Sequence, residues 1–116
     1  MLDYPHYHYK TEYRETDLVP FRSAYQTFGN TAIVCYTEEE GYPEPYFTLS
    51  VNIDPLPANM IAVDTNNCLG AEKFLTENNL GKPTGNFIAS GFCKYPIYII
   101  DLDKFPLHSD AFGEDF

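Results

Sequence analysis

Cys68 is the residue of this chain best placed for covalent chemistry. It lies in the stretch VDTNNCLGAEKFLTENNLG, residues 63–81, where an apolar run gives way to a helical pattern. The positive end of a helix stabilises a thiolate, so a cysteine at that junction is a candidate nucleophile. A nucleophilic thiol also needs a base within hydrogen-bond reach. The histidines, His6, His8 and His108, lie towards the two ends of the sequence, and nothing in the spacing brings one to Cys68. The competing reading is a small apolar side chain packed against a sheet, a frequent position for a free cysteine.

Three further constellations bear on chemistry. His6 and His8 put two imidazoles on one side of an extended segment, half of what a structural zinc site requires. Asp101 and Asp103 place two carboxylates at a strand end, where general acid work would need an apolar pocket around one of them. Glu38, Glu39, Glu40 and Glu44 surround Gly41, Tyr42, Pro43 and Tyr46. Carboxylates beside an aromatic ring suit a partner rich in arginine, which pairs with the charge and stacks on the ring. Each of these also reads as an ordinary solvated turn or strand end. No GxxxxGK[ST] or GxGxxG phosphate loop occurs, and no cofactor motif is found.

The charge decides among classes of partner. Seventeen acidic residues stand against seven basic ones in 116, a formal charge of −10. Phosphate contacts rely on clustered Lys and Arg, so direct binding to nucleic acid is disfavoured and a basic protein surface is the natural partner. High net charge also serves solubility alone. No apolar run approaches the ~20 residues that span a bilayer, and the first residues lack the apolar core of a secretory signal. Cys35, Cys68 and Cys93 are odd in number and widely spaced, the pattern of free thiols in a reducing cytoplasm.

The elements that must position these residues follow from pattern and turn chemistry. YPHYHYKTEY reads as an edge strand or loop, and DLVPFRSAYQTFG as a segment with a short helical turn before Gly29. TAIVCYT is rich in β-formers. YFTLSVNI alternates, with Phe47, Leu49, Val51 and Ile53 on one face and Tyr46, Thr48, Ser50 and Asn52 on the other. The two runs predict an antiparallel hairpin with a long acidic tip. MIAVD predicts a short strand. Asp64, Thr65, Asn66 and Asn67 read as capping residues for a helix of about three turns, stopped by Gly81 and Pro83. Gly70 within it predicts a close neighbour. KPTGN reads as a turn, FIASGFC as a strand bending at Gly91, and YPIYIIDL as a last strand before the acidic tail 103–116 with Asp110, Glu114 and Asp115. The expected architecture is a single α+β domain: a Tyr-rich segment 1–28, a core 29–102 with an antiparallel sheet of four to six strands and one main helix, and that tail.

The stretches FGNTAIVCY, PYFTLSVNI, AVDTNNCLGAEKFL, NLGKPTG and SGFCKYPIYIIDL together resemble a family of small acidic proteins of unknown function. Its members are carried on conjugative and related mobile elements of Gram-positive gut bacteria. The resemblance runs from Phe28 to Leu102 and is most specific at VDTNNC and SG.C.YP. It implies no catalytic residue. It does imply a setting in which small acidic proteins block host defences such as CRISPR effectors and restriction enzymes. The expectation is therefore a non-enzymatic cytoplasmic protein acting on the basic surface of a nucleic-acid-binding protein through Glu38, Glu39, Glu40, Tyr42 and Glu44, with Asp101 and Asp103 as a second acidic patch. A Cys68-dependent thiol enzyme and a structural or regulatory subunit of the element are the alternatives.

Overall fold

Eight β-strands carry the fold of residues 3–113, the part of the chain that the computed structural model describes. Strands β1 (Tyr7–Lys10), β2 (Glu15–Ala24), β3 (Thr31–Thr37) and β4 (Glu44–Thr48) form one antiparallel sheet in the order β1-β2-β3-β4. The hairpin β3–β4 puts Thr37 opposite Glu44 and Cys35 opposite Phe47, with the acidic tip between. Most of DLVPFRSAYQTFG belongs to β2, and the turn expected before Gly29 is a non-helical hairpin turn over 26–29, with Phe28 and Gly29 both at φ 66. Pro20 masks the strand in the sequence. It is tolerated because the pairing of β1 reaches only Leu18, which leaves Pro20 one ladder neighbour, Cys35.

A second antiparallel sheet contains β5 (Ser50–Val51), β6 (Met60–Val63), β7 (Gly81–Ser90) and β8 (Cys93–Ile100), in the order β5-β6-β8-β7. The single sheet of four to six strands is thus corrected to two sheets of four. The split falls inside YFTLSVNI, at Leu49, whose N–H donates to Ile33 of the first sheet while its carbonyl accepts from Asp64 at the end of β6. The expected clean alternation fails at this crossing, where Leu49 and Ser50 are both buried. KPTGN lies within β7 as an irregularity, with Gly85 at φ +86, instead of separating two elements.

Helix α1 (Ala71–Glu77) has seven residues, about two turns. Asp64 does not cap it: the carboxylate accepts from the Asn67 N–H at 3.1 Å and closes the preceding turn. The N-cap is Gly70 at φ +77, and a Cβ there would meet the Thr11 methyl at 2.9 Å, so the close neighbour expected from the sequence is the β1–β2 turn. Asn79, not Gly81, ends the helix. Its φ of 55 lets Leu80 N–H reach the Leu75 carbonyl at 2.9 Å and its own N–H reach Thr76 at 3.3 Å, a Schellman stop. Gly81 already belongs to β7.

Tyr9, Leu18, Ile33, Leu49, Ile61, Val63, Phe74, Leu75, Tyr98 and Phe105 form the main core, joining both sheets to α1. Val19, Phe21, Val34 and Tyr36 point from the other face of the first sheet and are covered by α2 (His108–Phe112). Phe112 stacks on Tyr36 at 4.5 Å, and His108 Nε2 lies 2.7 Å from the Tyr36 hydroxyl. Glu114 and Asp115 of the acidic tail lie outside the described residues. No helix among those described is long and apolar enough to cross a membrane.

Candidate functional site

The tip of the β3–β4 hairpin turns through a short 3-10 segment, Glu39–Gly41, in which Glu40 adopts the left-handed conformation at φ 62. That costs a non-glycine residue roughly 1 kcal/mol. Two of the four glutamates are bonded to the N-terminal hairpin. Glu39 accepts from Arg14 Nη2 at 2.8 Å and from the Thr16 hydroxyl at 3.1 Å, and these bonds hold its carboxyl below the usual range. Glu38, largely covered, lies 2.9 Å from His6 Nε2. The Arg14 guanidinium also sits 5.1 Å from the Tyr46 ring centroid. Glu40, Tyr42 and Glu44 face solvent, and among the described residues their side chains make no hydrogen bond or ion pair.

Asp101 and Asp103 belong to a different neighbourhood. β8 ends at Ile100, and Asp101 caps the 3-10 turn Leu102–Lys104 by accepting from the Asp103 N–H at 3.3 Å. The pair therefore sits in a turn, not on one strand face. Asp101 also borders an open groove of about 620 Å³ with Lys82, Lys104, Leu80 and Ile99, beside the end of α1. Among the described residues no hydrogen bond links this turn to the hairpin tip.

Cys68 lies three residues before α1, 4% exposed, and its thiol donates to the Thr48 carbonyl at 3.4 Å. Burial, and then the Asp64 carboxylate, push the thiol up to about 12, so it is protonated at neutral pH. Cys35 is driven well upward by burial too, and all three cysteines are free. His6 and His8 do not converge, since His8 pairs with Glu15 at 2.9 Å while His6 pairs with Glu38. Among the described residues no group of three or more His, Cys, Asp or Glu is placed to hold a metal ion.

A family model described as a domain of unknown function, DUF4313, matches residues 22–114. The chain belongs to the DUF4313 family. Neither the curated proteins nor the solved structures contain a match. The DUF4313 region includes the hairpin tip, the Asp101 turn and Cys68, and it extends through α2. It leaves out His6 and Arg14, the two residues that tie Glu38 and Glu39 to the N-terminal hairpin.

Sequence reasoning missed those ties, together with the exposure of Tyr13 in the turn 11–14 and of Leu69 before α1. Arg14 and Glu39 are 25 positions apart, and His6 and Glu38 are 32 apart. No local periodicity encodes such a pair. Only the residue types gave a signal, since an arginine in a chain with 17 acidic residues has many carboxylates to choose from.

Proposed function

We propose that this chain is a non-enzymatic acidic binding protein that occupies the basic surface of a nucleic-acid-binding protein. The observation that carries the reading is the exposed set Glu40, Tyr42 and Glu44 on a tip whose base is held by Arg14–Glu39 and His6–Glu38. A pinned tip loses little conformational entropy on docking, and loops on a rigid scaffold are where binding residues concentrate. The charge of −10 repels nucleic acid and draws in basic surfaces. The resemblance to proteins of conjugative elements supplies the setting: a bacterial cytoplasm in which the partner is a host CRISPR effector or restriction enzyme.

The test is affinity capture from host lysate with the wild-type chain and a Glu40→Lys/Glu44→Lys variant, followed by nucleic-acid binding by the captured protein. The expected result is a partner that loses its nucleic acid as wild-type chain is added, and that the variant captures poorly. Capture untouched by the double reversal, or a partner that keeps its nucleic acid, would overturn the reading.

A further inference from the structure

Three loops meet at one end of the fold, and each exposes a large side chain. Tyr13 in the turn 11–14, Tyr42 in the hairpin tip and Leu69 in the loop before α1 are 80%, 72% and 56% exposed. The loops are tied to one another. Arg14 reaches Glu39 in the tip at 2.8 Å, the Tyr9 hydroxyl donates to the Leu69 carbonyl at 2.6 Å, and Gly70 lies directly against Thr11. Single exposed apolar residues are ordinary on a monomer. Here the tip and the loop before α1 are both fixed to the N-terminal hairpin, through Arg14 and through Tyr9 and Thr11, so the three exposed side chains stand on loops held by one shared element.

The same end contains a worked example of arginine binding. The Arg14 guanidinium lies near the face of Tyr46 while donating to the Glu39 carboxylate. A ring takes the flat cation and a carboxylate takes its N–H fork, a combination that a compact, strongly hydrated ammonium exploits less well. Tyr42 lies between Glu40 and Glu44 in the sequence, all three are exposed, and among the described residues its ring makes no cation–π contact.

We propose that this end docks an arginine-bearing segment of a protein partner, with Tyr42 stacking on a guanidinium, Glu40 and Glu44 pairing with it, and Tyr13 and Leu69 covering apolar parts of the segment. The occupant follows from charge complementarity to a chain of −10 and from the Arg14 arrangement next to it. The inference rests on the proposed function only for the basic character of the partner. It adds selectivity for arginine over lysine and a surface built from three loops.

The experiment titrates the full chain with an arginine-rich peptide and a lysine peptide of equal length and charge, at low ionic strength, by calorimetry. The arginine peptide is expected to bind more tightly. Tyr42→Ala is expected to weaken it about two- to fivefold, the scale of an exposed cation–π contact, while leaving the lysine peptide nearly unchanged. Glu40→Gln/Glu44→Gln should weaken both peptides. Tyr13→Ala, also exposed, provides a second variant whose folding is not at risk and should weaken the arginine peptide. Equal affinity for the two peptides, indifference to Tyr42→Ala, or no binding to either would overturn the inference. Arginine selectivity without displacement of nucleic acid in the capture experiment would instead overturn the proposed function alone.

Discussion

Leu49 donates its backbone N–H to the carbonyl of Ile33 at 2.9 Å, the last rung of the first sheet before the chain passes into the second. The Leu49 carbonyl then accepts from Asp64 at 2.8 Å. One fully buried residue therefore supplies a bond to each sheet and a side chain to the core between them.

Leu49→Ala keeps both backbone bonds and empties the core at the crossing. The expected loss is about 2–5 kcal/mol of unfolding free energy, the usual cost of Leu→Ala in a packed interior. Urea unfolding measures it. A loss below about 1 kcal/mol would mean that the crossing collapses around the smaller side chain.

Gly70→Ala is expected to destabilise the fold although it adds only a methyl group. The position has φ +77, and the new carbon would lie 2.9 Å from the Thr11 methyl. Strain in the left-handed region is about 1–2 kcal/mol, and the clash adds to it. Pairing the change with Thr11→Ser tests the cause, because removing the methyl should recover the clash and leave the backbone strain.

The Glu39 carboxylate is held below its ordinary range by Arg14 and Thr16. Its folded value lies below its unfolded one, so the pair stabilises the fold above the ordinary carboxylate range. That contribution is lost as pH falls through the lowered folded value. Glu39→Gln should therefore melt slightly below wild type at neutral pH and low salt. The gap should close towards acid pH and on adding salt, since the pair is exposed. Thermal melts across pH would contradict this if the gap widened on acidification.

Thiol labelling of the native chain near pH 8 should modify Cys93, which is half-buried, and spare Cys35 and Cys68, which are buried. Burial keeps Cys68 protonated up to about 12, so it should react only after denaturation. Mass spectrometry of labelled peptides reads the result. Rapid native alkylation of Cys68 would revive it as a nucleophile.

Phe112→Ala should loosen the last segment. Helix α2 has five residues, too few to stand alone, and Phe112 holds it by packing on Tyr36 and Phe21 of the first sheet. Faster amide exchange across residues 108–112, with β6 and β8 unchanged, is the expected pattern.

Local pattern and turn chemistry determined a good deal of this protein. The β-formers of 31–37 and the proline- and glycine-rich acidic run after them specify the β3–β4 hairpin. MIAVD specifies β6, and Gly70 signals a close approach. These are contacts among near neighbours, or demands of a single backbone position, so composition carries them. The tertiary structure decided the rest. Pro20 lies inside β2 because a flanking strand stops two residues short of it. YFTLSVNI serves two sheets because Leu49 is shared between Ile33 and Asp64. Asp64 closes a turn and Asn79 stops the helix, where the sequence offered several residues able to do either. Glu38 and Glu39 are paired only because the N-terminal hairpin brings His6 and Arg14 beside them. An ion pair between residues so far apart depends on how the sheet curls, and no period in the chain records that curl.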